Sequence, residues 1–131
     1  LAGAMVATDE LNAIGELIQR SVQTSATLQK YALDLWRATS APADFGVRVS
    51  GVDTAQLMLA GASPRGMSML LRAARVAAWL DGRGHVTPED IQAVFVETIA
   101  HRLCYQPVYE LRRHDIAAPL MAGIVGSVAS P

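Results

Sequence analysis

Along most of this chain, apolar residues recur at three- and four-residue spacing, the period of helices with one buried face. Leu11, Ile14 and Ile18 set the first such stripe, over about Thr8–Gln19. Thr8 is its expected cap, and Asp9 and Glu10 suit the positive end of the helix dipole. Gln23-Thr24-Ser25 supplies the next cap, and Leu28, Tyr31, Ala32, Leu35 and Thr39 form the inward stripe of a second helix. That helix is expected to end before Ala41-Pro42, because a residue preceding proline is driven out of helical geometry. The pattern then breaks over residues 41–60. Pro42–Gly46 reads as a loop, Val47-Arg48-Val49 as a short extended piece, and Val52–Leu59 as one or two helical turns capped by Asp53 or Thr54.

The pattern is strongest in a third helix, expected over Pro64–Leu80. Met67, Leu70, Leu71, Ala74 and Ala78 make one stripe, and Met69, Ala73, Val76, Ala77 and Leu80 cover an adjoining face. So wide an apolar surface belongs to a helix touched by several neighbours. Asp81-Gly82-Arg83-Gly84 ends it with glycines able to adopt positive φ. Thr87-Pro88-Glu89-Asp90 starts a fourth helix, with Thr87 as cap, Pro88 at the first position, and Ile91, Val94, Phe95 and Ile99 facing inward. After an irregular stretch containing Tyr105, Pro107 and Tyr109, Asp115 is expected to cap a last helix from about Ile116 to Val128, with Pro119 in or beside its first turn. The elements predict an all-α fold, a compact bundle of four to five main helices. A minor short hairpin near Val47 or Val86 is the one sheet candidate.

Composition narrows the function classes. With 131 residues and 51% hydrophobic content, the chain can bury one sizeable core. A net charge of −1 provides no long-range attraction to nucleic acid or to an anionic membrane. The apolar stretch Ile116–Ala129 is shorter than a membrane span and is interrupted by Pro119, Gly123 and Gly126. The single cysteine, Cys104, has no internal disulfide partner and fits a reducing compartment. His101 and Cys104 are three residues apart, but His85 and His114 are remote in sequence. No four-ligand metal site is therefore expected.

The densest chemistry lies at the start of the third helix, in Gly61-Ala62-Ser63-Pro64-Arg65-Gly66. Ser63 suits the cap and Pro64 the first helical position. Arg65 then falls beside first-turn N–H groups, where the dipole favours an anion over a cation. An arginine in that place suggests a phosphate or carboxylate partner, with a solvated side chain as the plain alternative. Arg65, Ser68, Arg72 and Arg75 follow at spacings of four and three along one side of the helix. They form either a solvated face or a cationic edge turned towards another domain or subunit.

Three ordered blocks extend this reading. Gly61-Ala62-Ser63-Pro64-Arg65 is followed by Leu70-Leu71-Arg72-Ala73-Ala74-Arg75. Gly82-Arg83-Gly84-His85-Val86-Thr87-Pro88-Glu89-Asp90-Ile91 comes next, and then His101-Arg102-Leu103. Together they resemble the C-terminal helical lid domain of MoxR-type AAA+ ATPases over roughly residues 8–131. The resemblance implies that Arg65 is the sensor 2 residue, reaching from the lid to the γ-phosphate of ATP bound with Mg2+ on a preceding core. Gly61, Ser63 and Pro64 would shape that site, and Arg72 and Arg75 are interface candidates. It further implies a cytoplasmic parent that hydrolyses ATP and assembles as a ring, expected to be a homo-hexamer. Such a parent would act as a chaperone or in metal-cofactor insertion, with von Willebrand factor A-type partners, without nucleic acid and without membrane insertion.

The chain itself contains no Gly-x-x-x-x-Gly-Lys-Ser/Thr phosphate loop and no apolar strand ending in Asp-Glu, so this segment alone is expected not to be catalytic. Its start at Leu1 reads as a cut or processed end, and residues 1–7 as a disordered or added lead-in. Two other readings compete: a helical protein-interaction module with no nucleotide link, and a helix-turn-helix nucleic-acid reader, which the weak basic face disfavours.

Overall fold

Prolines and short caps fix most of the helix ends in the computed structural model, which describes residues 5–131. Helix α1 spans Thr8–Ser21 and α2 Ala26–Ser40, where Ser25 caps α2 by accepting the N–H of Leu28. Helix α3 runs Pro64–Leu80 and α4 Pro88–Ile99, each with proline in its first turn. A one-turn α5, Pro107–Glu110, precedes α6, Arg113–Ser127. Among the described residues, five main helices and one short one thus make the all-α bundle. Of the lead-in expected over residues 1–7, positions 1–4 lie outside the described residues, and Met5–Ala7 are exposed and without regular structure.

The core gathers around α3 and α4, which pack most extensively on each other. Leu35 from α2, Leu70 from α3, Ile91, Phe95 and Ile99 from α4, and Leu120 and Ile124 from α6 are fully buried. Burying each such side chain stabilises the fold by on the order of 2 kcal/mol, so these helices carry most of the hydrophobic stabilisation. The predicted stripe of α2 is buried in full.

Several expectations are corrected. On α1 only Ile18 of the predicted stripe is buried. Leu11 and Ile14 are exposed, so periodicity marked an apolar face that the described residues cover only in part. Thr8 is the first helical residue rather than the cap, which is Ala7 and makes no side-chain bond. Helix α6 begins two residues before Asp115, so Pro119 lies inside it, past the first turn. Its ring carries no N–H to complete the helical pattern there. Over residues 41–60 the chain forms a 3-10 turn at Pro42–Phe45 and another at Thr54–Gln56, the latter capped by Asp53, whose side chain accepts from the N–H of Ala55.

No strand forms at Val47–Val49 and no hairpin near Val86. The sheet pairs β1, Met58–Ala60, antiparallel with β2, Cys104–Tyr105, more than forty residues apart in sequence. Beside Val86 there is only an isolated parallel bridge between Gln23 and His85.

Candidate functional site

The segment before α3 is fastened to α2 by neutral hydrogen bonds. The indole N–H of Trp36 donates to the carbonyls of Ala62 at 2.7 Å and Ser63 at 3.0 Å. The hydroxyl of Thr39, fully buried, accepts the N–H of Ala62 at 3.0 Å and donates to the carbonyl of Trp36 at 2.6 Å. This closeness requires Gly61. A Cβ there would lie 2.3 Å from Ser40 Oγ, 2.5 Å from Thr39 Oγ1 and 2.6 Å from the Ser40 backbone nitrogen. The last contact is with backbone and cannot swing away. Gly61 therefore sets how closely the start of α3 approaches the end of α2.

The cap differs from the one expected. Ser63 has the extended geometry of a cap, but its hydroxyl accepts no bond; its carbonyl instead accepts the N–H groups of Gly66 at 2.8 Å and Met67 at 3.3 Å. Pro64 has no N–H, so among the described residues the first-turn donor left without a protein partner is the N–H of Arg65 itself. The helix end is thus no multi-donor anion cradle. Its remaining resource is the guanidinium of Arg65, which is exposed and has no hydrogen-bond or ion-pair partner among the described residues.

The other cations of α3 separate. The Arg72 side chain is exposed, and only its backbone carbonyl is engaged, by Gln19 Nε2 at 3.0 Å. Arg75 is half-buried. Its guanidinium donates to Thr24 Oγ1 and Gln19 Oε1, both at 3.2 Å, and so stitches α3 to α1 and to the start of α2. His101 and Cys104 are both exposed. Among the described residues, no three His, Cys, Asp or Glu side chains converge as metal ligands would.

At the opposite end of α3 the sequence reading missed a paired cation. Gly82, at φ 76°, turns the chain out of the helix. Arg83 then reaches forward to the carboxylate of Asp90 with two bonds of 2.6 Å, and to Asp81 at 2.9 Å. Asp90 is 4% exposed and also accepts the backbone N–H of Thr87 at 2.7 Å, the acid half of a capping box. The Arg83 guanidinium holds the Asp90 carboxyl below the usual carboxylate range, against the opposing effect of burial, and Asp90 and Asp81 in turn push Arg83 up. The available signal was an acid at the third position of α4 with an arginine in the preceding turn.

Residues 53–119 match the model of the AAA lid domain family. The chain is an AAA lid domain. Over 123 residues, 94% of its length, it is 41% identical to the protein MoxR of Methylorubrum extorquens, and over 121 residues it is 39% identical to MoxR of Paracoccus denitrificans. It spans 36% of the length of each of these relatives. A crystal structure of a protein described as an ATPase from Cytophaga hutchinsonii superposes with a TM-score of 0.82 at 28% identity, covering 96% of this chain and 36% of that one. Among the described residues, no helix is long and apolar enough to cross a membrane.

Proposed function

We propose that this lid serves an ATP-hydrolysing AAA+ parent of the MoxR type, in which Arg65 contacts the γ-phosphate of bound ATP. The observation that carries this is the contrast between a bare cation and the rigid seat beneath it. Arg65 sits one residue into a helix whose start is held by Trp36, Thr39 and Gly61, so little conformational freedom remains to be lost when it meets a partner. A single guanidinium with one adjacent N–H suits a terminal phosphoryl oxygen better than a whole triphosphate, which needs many donors. Nucleotide and Mg2+ bound on the parent's core supply the chemistry. The part of this chain is to place one positive charge where negative charge is redistributed in phosphoryl transfer. Movement of the lid would then couple hydrolysis to neighbouring subunits of a ring, a homo-hexamer in this reading. The work would be chaperone-like remodelling or metal-cofactor insertion with a von Willebrand factor A-type partner in the cytoplasm.

Arg72 is placed to meet the core or the adjoining subunit, and Arg75 to hold the lid's own helices together for that encounter. The test is steady-state ATP hydrolysis by the full-length protein carrying Arg65→Ala. Turnover is expected to fall about 100-fold with the assembly intact, the loss typical of removing one charge-stabilising contact. Unchanged turnover in an intact assembly would remove Arg65 from the reaction.

A further inference from the structure

We infer that the groove between α1, α3 and α4 receives helix α1 of a second copy of this chain. The groove is shallow and open to solvent, with a volume of about 420 Å³. Met69 and Val76 give it an apolar floor, Arg72 and Arg102 stand on its rim, and Glu97 is its one acid. Gly15 forms part of the wall from within α1, where glycine weakens a helix relative to alanine. A Cβ built on Gly15 would meet nothing within 4 Å, so no close approach inside the chain requires glycine there. Its effect is to leave the groove wall bare.

The occupant is on the same chain. Leu11, Ile14 and Leu17 are 60%, 37% and 55% exposed, an apolar strip along α1 that the described chain covers only in part. Around it stand Asp9, Glu10 and Glu16 against one base, Arg20. An acidic helix with an apolar strip thus complements a cationic groove with an apolar floor, in charge as well as in polarity. Strip and groove are different patches of one surface, so the contact can be made once, head-to-tail, or twice across a two-fold axis. Head-to-tail contacts run on into a ring or an open chain, and a reciprocal pair of contacts stops at a dimer. Nothing in this inference depends on nucleotide.

Sedimentation velocity of the chain, from low micromolar to submillimolar concentration, tests it. The wild-type chain is expected to self-associate as concentration rises. Arg72→Glu spoils the groove and Leu17→Glu the strip, each weakening association by about tenfold or more, so each variant alone should need at least about tenfold higher concentration than wild type to associate. Gly15→Leu, which fills the groove from α1, should match Arg72→Glu. All three positions lie on exposed or half-exposed helix surface, and circular dichroism checks that the fold persists. Mixing Arg72→Glu with Leu17→Glu leaves one intact strip and one intact groove, and should restore a discrete heterodimer. A wild-type chain that stays monomeric throughout would overturn the inference and leave the groove to another occupant. A mixture that stays monomeric, or single variants that associate like wild type, would overturn it equally.

Discussion

Arg65 and Arg83 stand near the two ends of α3 in opposite circumstances. Arg83 has its counter-charge inside the domain, held bidentately by the buried Asp90 and supported by Asp81. Arg65, at an end fastened just as firmly, has no carboxylate among the described residues. The fastening at that end is done by uncharged groups, the Trp36 indole and the Thr39 hydroxyl, and by the absence of a side chain at Gly61. An arginine that serves the fold brings its partner with it, because a desolvated, unmatched charge is costly. One that stands in solvent at a rigid point contributes little to stability and is available to a partner outside the chain. The two ends therefore predict opposite responses to mutation.

The largest loss of stability is expected at the fastened end, from Gly61→Ala. A methyl group there must displace the Ser40 backbone, and overpacking of this kind costs about 3 kcal/mol. Urea unfolding of the chain would measure it, and a loss under 1 kcal/mol would mean that α2 and α3 part easily.

Next is Asp90→Asn, which removes the charged partner of Arg83 and weakens the cap of α4, at about 2 kcal/mol. The same pair predicts a pH dependence. The folded pKa of Asp90 lies below its unfolded value of about 3.9, so its contribution is complete above that pH and is lost as pH falls through the folded value. Unfolding midpoints followed downward from neutral pH should drop more steeply below about pH 4 in the wild-type chain than in Asp90→Asn. Parallel curves would show that the ion pair adds nothing beyond its neutral hydrogen bonds.

Trp36→Phe is milder. It keeps the ring but removes the donor shared by two carbonyls, for about 1 kcal/mol. In the full-length protein it should lower turnover by more than this stability change implies, because Arg65 loses part of its seat. A variant with full turnover would confine Trp36 to a structural role.

Much of this architecture was legible in sequence because it is written locally. Pro42, Pro64 and Pro88 mark one helix stop and two helix starts within two residues of where they occur, and the 3.6-residue stripes of α2 and α4 face the core as read. What escaped depends on distant partners. Periodicity showed an apolar face on α1 but had no means of showing that the described residues cover it only in part. The β1–β2 pairing joins segments whose short, mixed character predicts nothing by itself. At the candidate site, Arg65 and Gly61 were recognisable from their motif. The latch that holds them was not, because Trp36 and Ala62 are twenty-six residues apart and meet only when α2 packs on α3. Thr39 was placed inward correctly, yet its role in fastening α3 to α2 needed the backbone that approaches it.

The most direct test of the contrast is to measure Arg65→Ala twice, by urea unfolding of this chain and by ATP turnover of the full-length protein. Exposed and unpaired, Arg65 should change stability by less than about 0.5 kcal/mol, while turnover falls about 100-fold. The opposite pattern, a destabilised lid with turnover preserved, would show that Arg65 serves the fold as Arg83 does, and that the bare cation at the head of α3 is not what this domain offers to the nucleotide.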